Sequence, residues 1–571
     1  MKRALILFII FLLTLPSVAQ KKQETGLKRE VTLYNPYKPS LPDVVKKSYL
    51  PDMTDTSKVR PDFKYDIKTI PFMPAYNISQ IKPASLLPDP LSKLYNSYVK
   101  FGFGNYLTPL AEVSITNERS KKGTIGVFAR HFSSSGKVEL QNLQKAFAGY
   151  MDNDASVYGR KFLKKSVLES SFDFSQKTRY AFGYDTSFIN YEPAKKDIRL
   201  NFYNAGGHVR LLSARLDSAS FAYDFDISYN IFYSARYRYQ HNVEFKGSMA
   251  KSFKGFYVGS GLEYDYYKPS DSVSVNSKYI FALSPFLKKS TDEWGVKLGA
   301  RVLIDKGLKG SAKLHFYPDL NFSFNIVPSY ISFFADLTGK MKKNNPLNII
   351  GINPFILPSD TLYKIPDTDY SLVVKAGLTG ETGIGGSYQL YASYSLVNDM
   401  LFFSNYILKD SLTILQRGNY FTPLSDQVEI LNIHGEMSGK ISDKLSFEAG
   451  GNYYRYTLTS SDFAWNKPDW DATLVLKYNL RDKIIAGVEI NALGRRWERI
   501  RSINSNPFMT SETRNVKIPG NLNFNFGAEY RYTKILSFWL KFNNISFNKY
   551  YEWAYYPSQR FMCLVGFTYS L

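Results

Sequence analysis

The densest run of chemistry-bearing side chains is Arg495-Arg496-Trp497-Glu498-Arg499-Ile500-Arg501. A guanidinium presents its N–H donors as a planar fork that suits phosphate, carboxylate or sugar groups, and an indole beside it adds a stacking face. Alternate residues of an extended strand share a face. Arg495, Trp497, Arg499 and Arg501 therefore form a candidate anion-binding row, the blander alternative being a solvated loop base that holds lipopolysaccharide at a membrane rim. A second basic row, Arg236, Arg238 and Lys246, either favours anionic solutes or pairs with acids such as Glu244, Glu489 and Glu529. No other chemistry stands out. His131, His208, His241, His315 and His434 are far apart and none has a second ligand at metal spacing, so no metal is expected. No local nucleophile signature marks a hydrolytic centre, so the chain reads as neither an enzyme nor a cofactor protein. Cys563 is the single cysteine, which excludes an internal disulfide.

The elements that must position these rows are strands. Leu522, Phe524, Phe526, Ala528 and Tyr530 alternate with Asn523, Asn525, Gly527, Glu529 and Arg531, and Val99, Phe101 and Phe103 alternate with Lys100, Gly102 and Gly104. Tyr239, His241, Val243 and Phe245 likewise alternate with Arg238, Gln240, Asn242, Glu244 and Lys246. A charge at every second position facing lipid would be costly, so the polar rows must look into an enclosed lumen. Aromatics make up 16% of the residues, with 44 Tyr and 42 Phe, while the mean hydropathy is slightly negative. A lipid-facing band with aromatic girdles around a polar interior has this composition.

The connections supply an independent test, because a membrane barrel of this class keeps its periplasmic turns short and lets its outer loops grow. Tight reversals at Lys164-Lys165, Phe253–Gly255, Ser290–Asp292, Val327–Ser329, Gly383–Gly386, Ser442–Lys444, Arg481–Lys483 and Thr533-Lys534 alternate with longer segments. The longer ones are 134–153, 186–196, 269–276, 343–369, 400–426, 459–469, 494–519 and 548–560. The expected fold is all-β, a transmembrane antiparallel barrel of about 22 strands; other divisions of 154–185 and 386–426 would give 16–20. The spacing of Leu140, Leu143 and Phe147 predicts a short loop helix within 137–151.

The first residues differ from the rest. Lys2 and Arg3, an apolar run to Leu15 and Pro16-Ser17-Val18-Ala19 read as a signal peptide over 1–19, so export to the outer membrane is expected. Ten of the 26 prolines fall between Pro36 and Pro90, so 20–96 is expected to be an extended periplasmic arm, ahead of a barrel over 97–571. A net charge of +22 favours polyanionic partners, and for an exported protein these are lipopolysaccharide, acidic glycans or anionic solutes rather than nucleic acid.

The run Phe542-Asn543-Asn544-Ile545, then Tyr550-Tyr551-Glu552, Tyr556-Pro557 and Arg560, resembles the closing strands of TonB-dependent receptors. The resemblance implies a 22-stranded barrel and a wall or loop role, without ligand contact, for Asn544, Tyr550, Pro557 and Arg560. Residues 20–96 are short and proline-broken for the plug such receptors carry, so a plugless member is expected. The expected function is transport or a channel for an unknown solute, an anionic one among the candidates. The alternative is a scaffold or accessory subunit that meets envelope proteins through 20–96 and the long outer loops.

Overall fold

The computed structural model describes residues 96–571, apart from 118–119, 185, 187–192, 215–220, 237, 270–276, 308–310, 358–361, 363–364, 384, 409–416 and 504–511. The expected leader and almost all of the expected arm, with the question of a plug, lie outside the described residues.

Strand Ser97–Gly104 pairs with both its neighbour Thr108–Thr116 and the last strand Met562–Ser570, which closes the sheet on itself. That sheet has 24 strands; two of them, Arg496–Ile503 and Glu512–Ile518, belong to an outer-loop hairpin, leaving a ring of 22, antiparallel throughout. A closed sheet has no free edge, so the wall strands pair on both sides, with local bulges such as that between Thr338 and Lys340. The alternation read from the sequence sets the two faces. Phe101, Phe103, Ile115, Phe538, Val565 and Leu571 are exposed on the outside, whereas Trp539 and Leu564, one position out of step, are buried. Among the described residues no helix is long and apolar enough to cross a membrane, which bears only on helices and not on a barrel of strands.

At one end the chain reverses within two to four residues, as at 254–255, 481–483 and 532–535. Arg481 and Asp482 both take positive φ (50° and 54°), the condition for a hairpin turn whose twist matches its strands. The Asn479 carboxamide locks that turn, accepting from the Asp482 amide at 2.8 Å. At the other end lie the long connections, including 343–367, 494–520 and 544–561, along with short ones at 105–107 and 235–237.

Two expectations fail. Residues 137–151 form no helix but a hairpin, Lys137–Glu139 against Lys145–Phe147, after which Tyr150 begins the wall. The Asn142 side chain accepts from the Gln144 amide (3.1 Å) and Leu143 takes φ 65°, a turn that outcompetes helical spacing. Residues 400–408 and 417–426 are not loop either. Strands Gly386–Leu408 and Arg417–Ser442 run on, pairing from Met400↔Asp426 to Tyr406↔Tyr420. Both faces of this extension are buried, with Phe402 and Phe403 each almost inaccessible, so no alternation marked it.

Candidate functional site

The outer loops pack on one another. Val138 and Ala146 of the first hairpin, Phe182 and Ile198, Ile349 and Phe355, Phe403 and Phe421, and Trp553 and Tyr556 share one hydrophobic core. They come from connections following the third, fifth, thirteenth and twenty-first wall strands and from the raised ends of the fifteenth and sixteenth, which lie on opposite sides of the ring. Side chains from opposite sides can meet only across the mouth, so this core is a lid. Its centre is aromatic: Tyr556 stacks on Phe355 at 3.9 Å between ring centres, and Trp553 meets Phe403 edge-on at 5.4 Å. The Tyr556 hydroxyl donates to the Asn419 carbonyl at 2.5 Å.

Loop 343–367 enters the lid through a short helix, Pro346–Ile352, whose proline sits in the first turn and whose Asn345 cap accepts from the Asn348 amide. The loop is tied down on wall strands four and five positions along the ring. Lys343 reaches Glu244 (2.6 Å) and Asp265 (2.5 Å), and the Leu347 amide donates to Gln240 (3.2 Å). Along the opposite seam, Gln559 donates to the Ala148 carbonyl at 2.9 Å and Arg560 lies 3.7 Å from Glu139.

The arginine row lies in the hairpin Arg496–Ile503 and Glu512–Ile518, which adds in parallel to the raised strand, Ser404–Leu408 against Arg499–Ile503. Trp497, Arg499 and Arg501 share one face. Trp497 stacks on Phe463 at 4.3 Å, and Arg501 is exposed. Arg495 precedes the strand and pairs with Asp469 at 3.0 Å. The opposite face carries what the sequence reading passed over. Arg496 donates to the carbonyls of Glu552 (2.9 Å) and Tyr551 (2.5 Å), and the buried Glu498 carboxylate accepts from the Ala554 amide. These contacts fasten the hairpin to the loop that carries Trp553 and Tyr556. Burial pushes the Glu498 carboxyl up to about 8, against the pull of the Ala554 amide, Arg496 and Asn466. Such a pair was invisible in sequence because Arg496 and Glu498 alternate with the surface arginines and differ from them only in which face is covered.

The second basic row is divided. Arg236 sits in an outer turn, donating to the Tyr420 hydroxyl (2.9 Å) and the Asp197 carbonyl (2.7 Å), and so belongs to the lid's underpinning rather than to the lumen. The Arg238 side chain is outside the described residues, and its backbone pairs with Ser234. Lys246 does face inward, 3.2 Å from Glu244. It borders a hollow of about 590 Å³ in the inner wall with Arg210, Asp224, Glu263, Arg301 and Asp319. Cross-strand ion pairs lace this wall: Arg210–Asp224 at 2.5 Å, Arg301–Glu263 at 2.6 Å and Lys297–Asp319 at 2.6 Å. A second hollow of about 510 Å³, lined by Tyr150, Asp152, Arg179, Asn543, Glu552 and Arg560, lies under the seam of the lid. Both offer donors and acceptors of either sign.

The sequence matches no family model and no curated protein. Among solved structures it is similar to the pyoverdine outer membrane receptor FpvA of Pseudomonas aeruginosa PAO1 (12% identity, TM-score 0.59, 84% of this chain and 78% of that one). It is also similar to a mutant form of the ferric enterobactin receptor PfeA of the same species (12%, 0.58, 83% and 80%), and to the FrpB iron transporter of Neisseria meningitidis (10%, 0.60, 84% and 82%). The fold is that of the TonB-dependent receptors. At these identities the likeness is one of architecture. The TonB-receptor-like barrel here has its own lid; in its closing segment the Asn544 carboxamide donates to the Asn548 carbonyl at 2.8 Å and Pro557 is buried, and Asn544, Tyr550, Pro557 and Arg560 all border the hollow of about 510 Å³.

Proposed function

We propose that the chain is an outer-membrane uptake barrel of the TonB-dependent-receptor type, exported by a leader over 1–19, whose own outer loops gate the passage of a solute. The lid across the mouth carries this reading: a barrel that served only as an anchor would have no need of a shared aromatic core joining loops from opposite walls. The neighbours' cargoes, pyoverdine, ferric enterobactin and iron, give the reading its class of solute, a chelated or charged nutrient. Arg499 and Arg501 beside Trp497 would meet an anionic solute first, and the mixed charges around Arg179 and Lys246 would receive it below.

Planar-bilayer recording of the purified full chain tests this. Wild-type protein should stay closed, and Tyr556→Ala combined with Trp553→Ala should give conductance steps. Silence in both would sink the gating reading. A second reading, an accessory subunit for envelope proteins, is favoured by the raised sheet, whose outer strand Glu512–Ile518 has only one strand partner among the described residues. Co-purification of a stoichiometric partner through that sheet, lost on deletion of 496–518, would favour it.

A further inference from the structure

The lipid-facing rows end in lysines at the short-turn end. Met249, Lys251 and Phe253 follow one another outward, as do Leu287 and Lys289, and here a charge is tolerable only at the headgroup level. Each ammonium is poised over a ring that solvent or lipid can reach. Lys251 lies 4.9 Å from the Phe221 ring centre, Lys254 5.5 Å from Phe253, and Lys289 4.9 Å from Phe256 and 5.6 Å from Trp294. On the far side of the ring of strands Lys483 lies 5.7 Å from Tyr530. Among the described residues none of these four lysines is in an ion pair, in contrast to the inner wall, where acids and bases alternate. Lys164, Lys165, Lys444 and Lys534 add cations in neighbouring turns, while Asp292, Glu293, Asp443 and Asp482 add acids at the turn tips. Rings at the hydrocarbon boundary with ammonium groups just beyond them hold positive charge at phosphate height and toward lipid rather than toward the lumen.

We propose that this collar is an interaction surface for the phosphate groups of anionic glycerophospholipids in the leaflet that meets the short turns. The inference rests on the apolar belt of the wall and is independent of any transport role. Polyanionic partners were expected from the net charge, and lipopolysaccharide at the rim from the arginine row; these four lysines lie at the opposite end.

Native mass spectrometry of the full chain, released from detergent after titration with phosphatidylglycerol or with phosphatidylcholine of the same acyl chains, tests it. Wild-type protein should retain phosphatidylglycerol at least about fivefold better, the strength of a single basic contact with an anionic headgroup. Replacing Lys251, Lys254, Lys289 and Lys483 by Gln should abolish the preference, and replacing them by Arg should keep it. Arg499→Gln with Arg501→Gln, at the outer end, should leave it unchanged. Equal retention of the two lipids by wild type, or a preference that survives the four Gln substitutions or disappears with the outer arginines, overturns the proposal. The Arg variant separates loss of charge from loss of folding.

Discussion

Glu498 is the residue whose protonation the lid should feel. Its carboxyl is held at about 8 in the folded loop by burial, above the ordinary value of 4.5. The sign follows from linkage: below pH 4.5 both the closed and the opened loop hold the proton, so the closed form has its full advantage there. As pH rises toward 8 the opened loop sheds the proton first, and the advantage is lost. The groups beside it are Arg496 on its own hairpin and the Ala554 amide of the joined loop, with Asn466 next to them. Hydrogen exchange of residues 548–560 should therefore speed up between pH 5 and pH 8 beyond its intrinsic rise. Glu498→Gln, which cannot ionise, should remove that excess; an unchanged excess would show that the loop's opening is governed elsewhere.

Individual wall strands depend on small residues where backbones crowd. A methyl on Gly380 would collide with the Tyr330 carbonyl of the neighbouring turn, and one on Gly386 with the Ser438 carbonyl across the next pair. In an antiparallel wall neither strand can retreat without breaking its ladder on the other side. Gly380→Ala should cost about 1–3 kcal/mol in urea titrations of the barrel folded into lipid vesicles. Gly255→Ala tests a different cause, since its Cβ would meet nothing within 4 Å and only the positive φ of 80° opposes it. It should cost less, about 1 kcal/mol. Equal costs would mean that close approach is not what selects glycine at 380. At this scale the sequence was most legible where one face met lipid and the other the lumen, as in Asn521–Arg531. It was least legible in 400–408, where Met400 to Ile407 are covered on both sides, and in 137–147, where a local side-chain turn mimicked helical spacing.

As a whole, the molecule is a closed polar interior inside an apolar belt, with unlike ends. Because ring closure leaves no edge from which unfolding can start, the folded barrel should resist dodecyl sulfate at room temperature and migrate differently on gels before and after boiling. Identical mobility would contradict a closed ring. By itself the sequence determined the alternation, most of the short and long connections and the resemblance in the last strands, and it put the strand count at about 22 with 16–20 left open, because period two and turn length are local properties that each segment carries alone. Only the tertiary structure decided that loops from opposite walls meet in one aromatic lid, that Arg496 and Glu498 fasten it while Arg501 is exposed, and that Lys251, Lys254, Lys289 and Lys483 lie over rings at the far rim. Those facts depend on which distant segments the closed ring brings together, and on which side of a strand is thereby covered, and no local pattern encodes either.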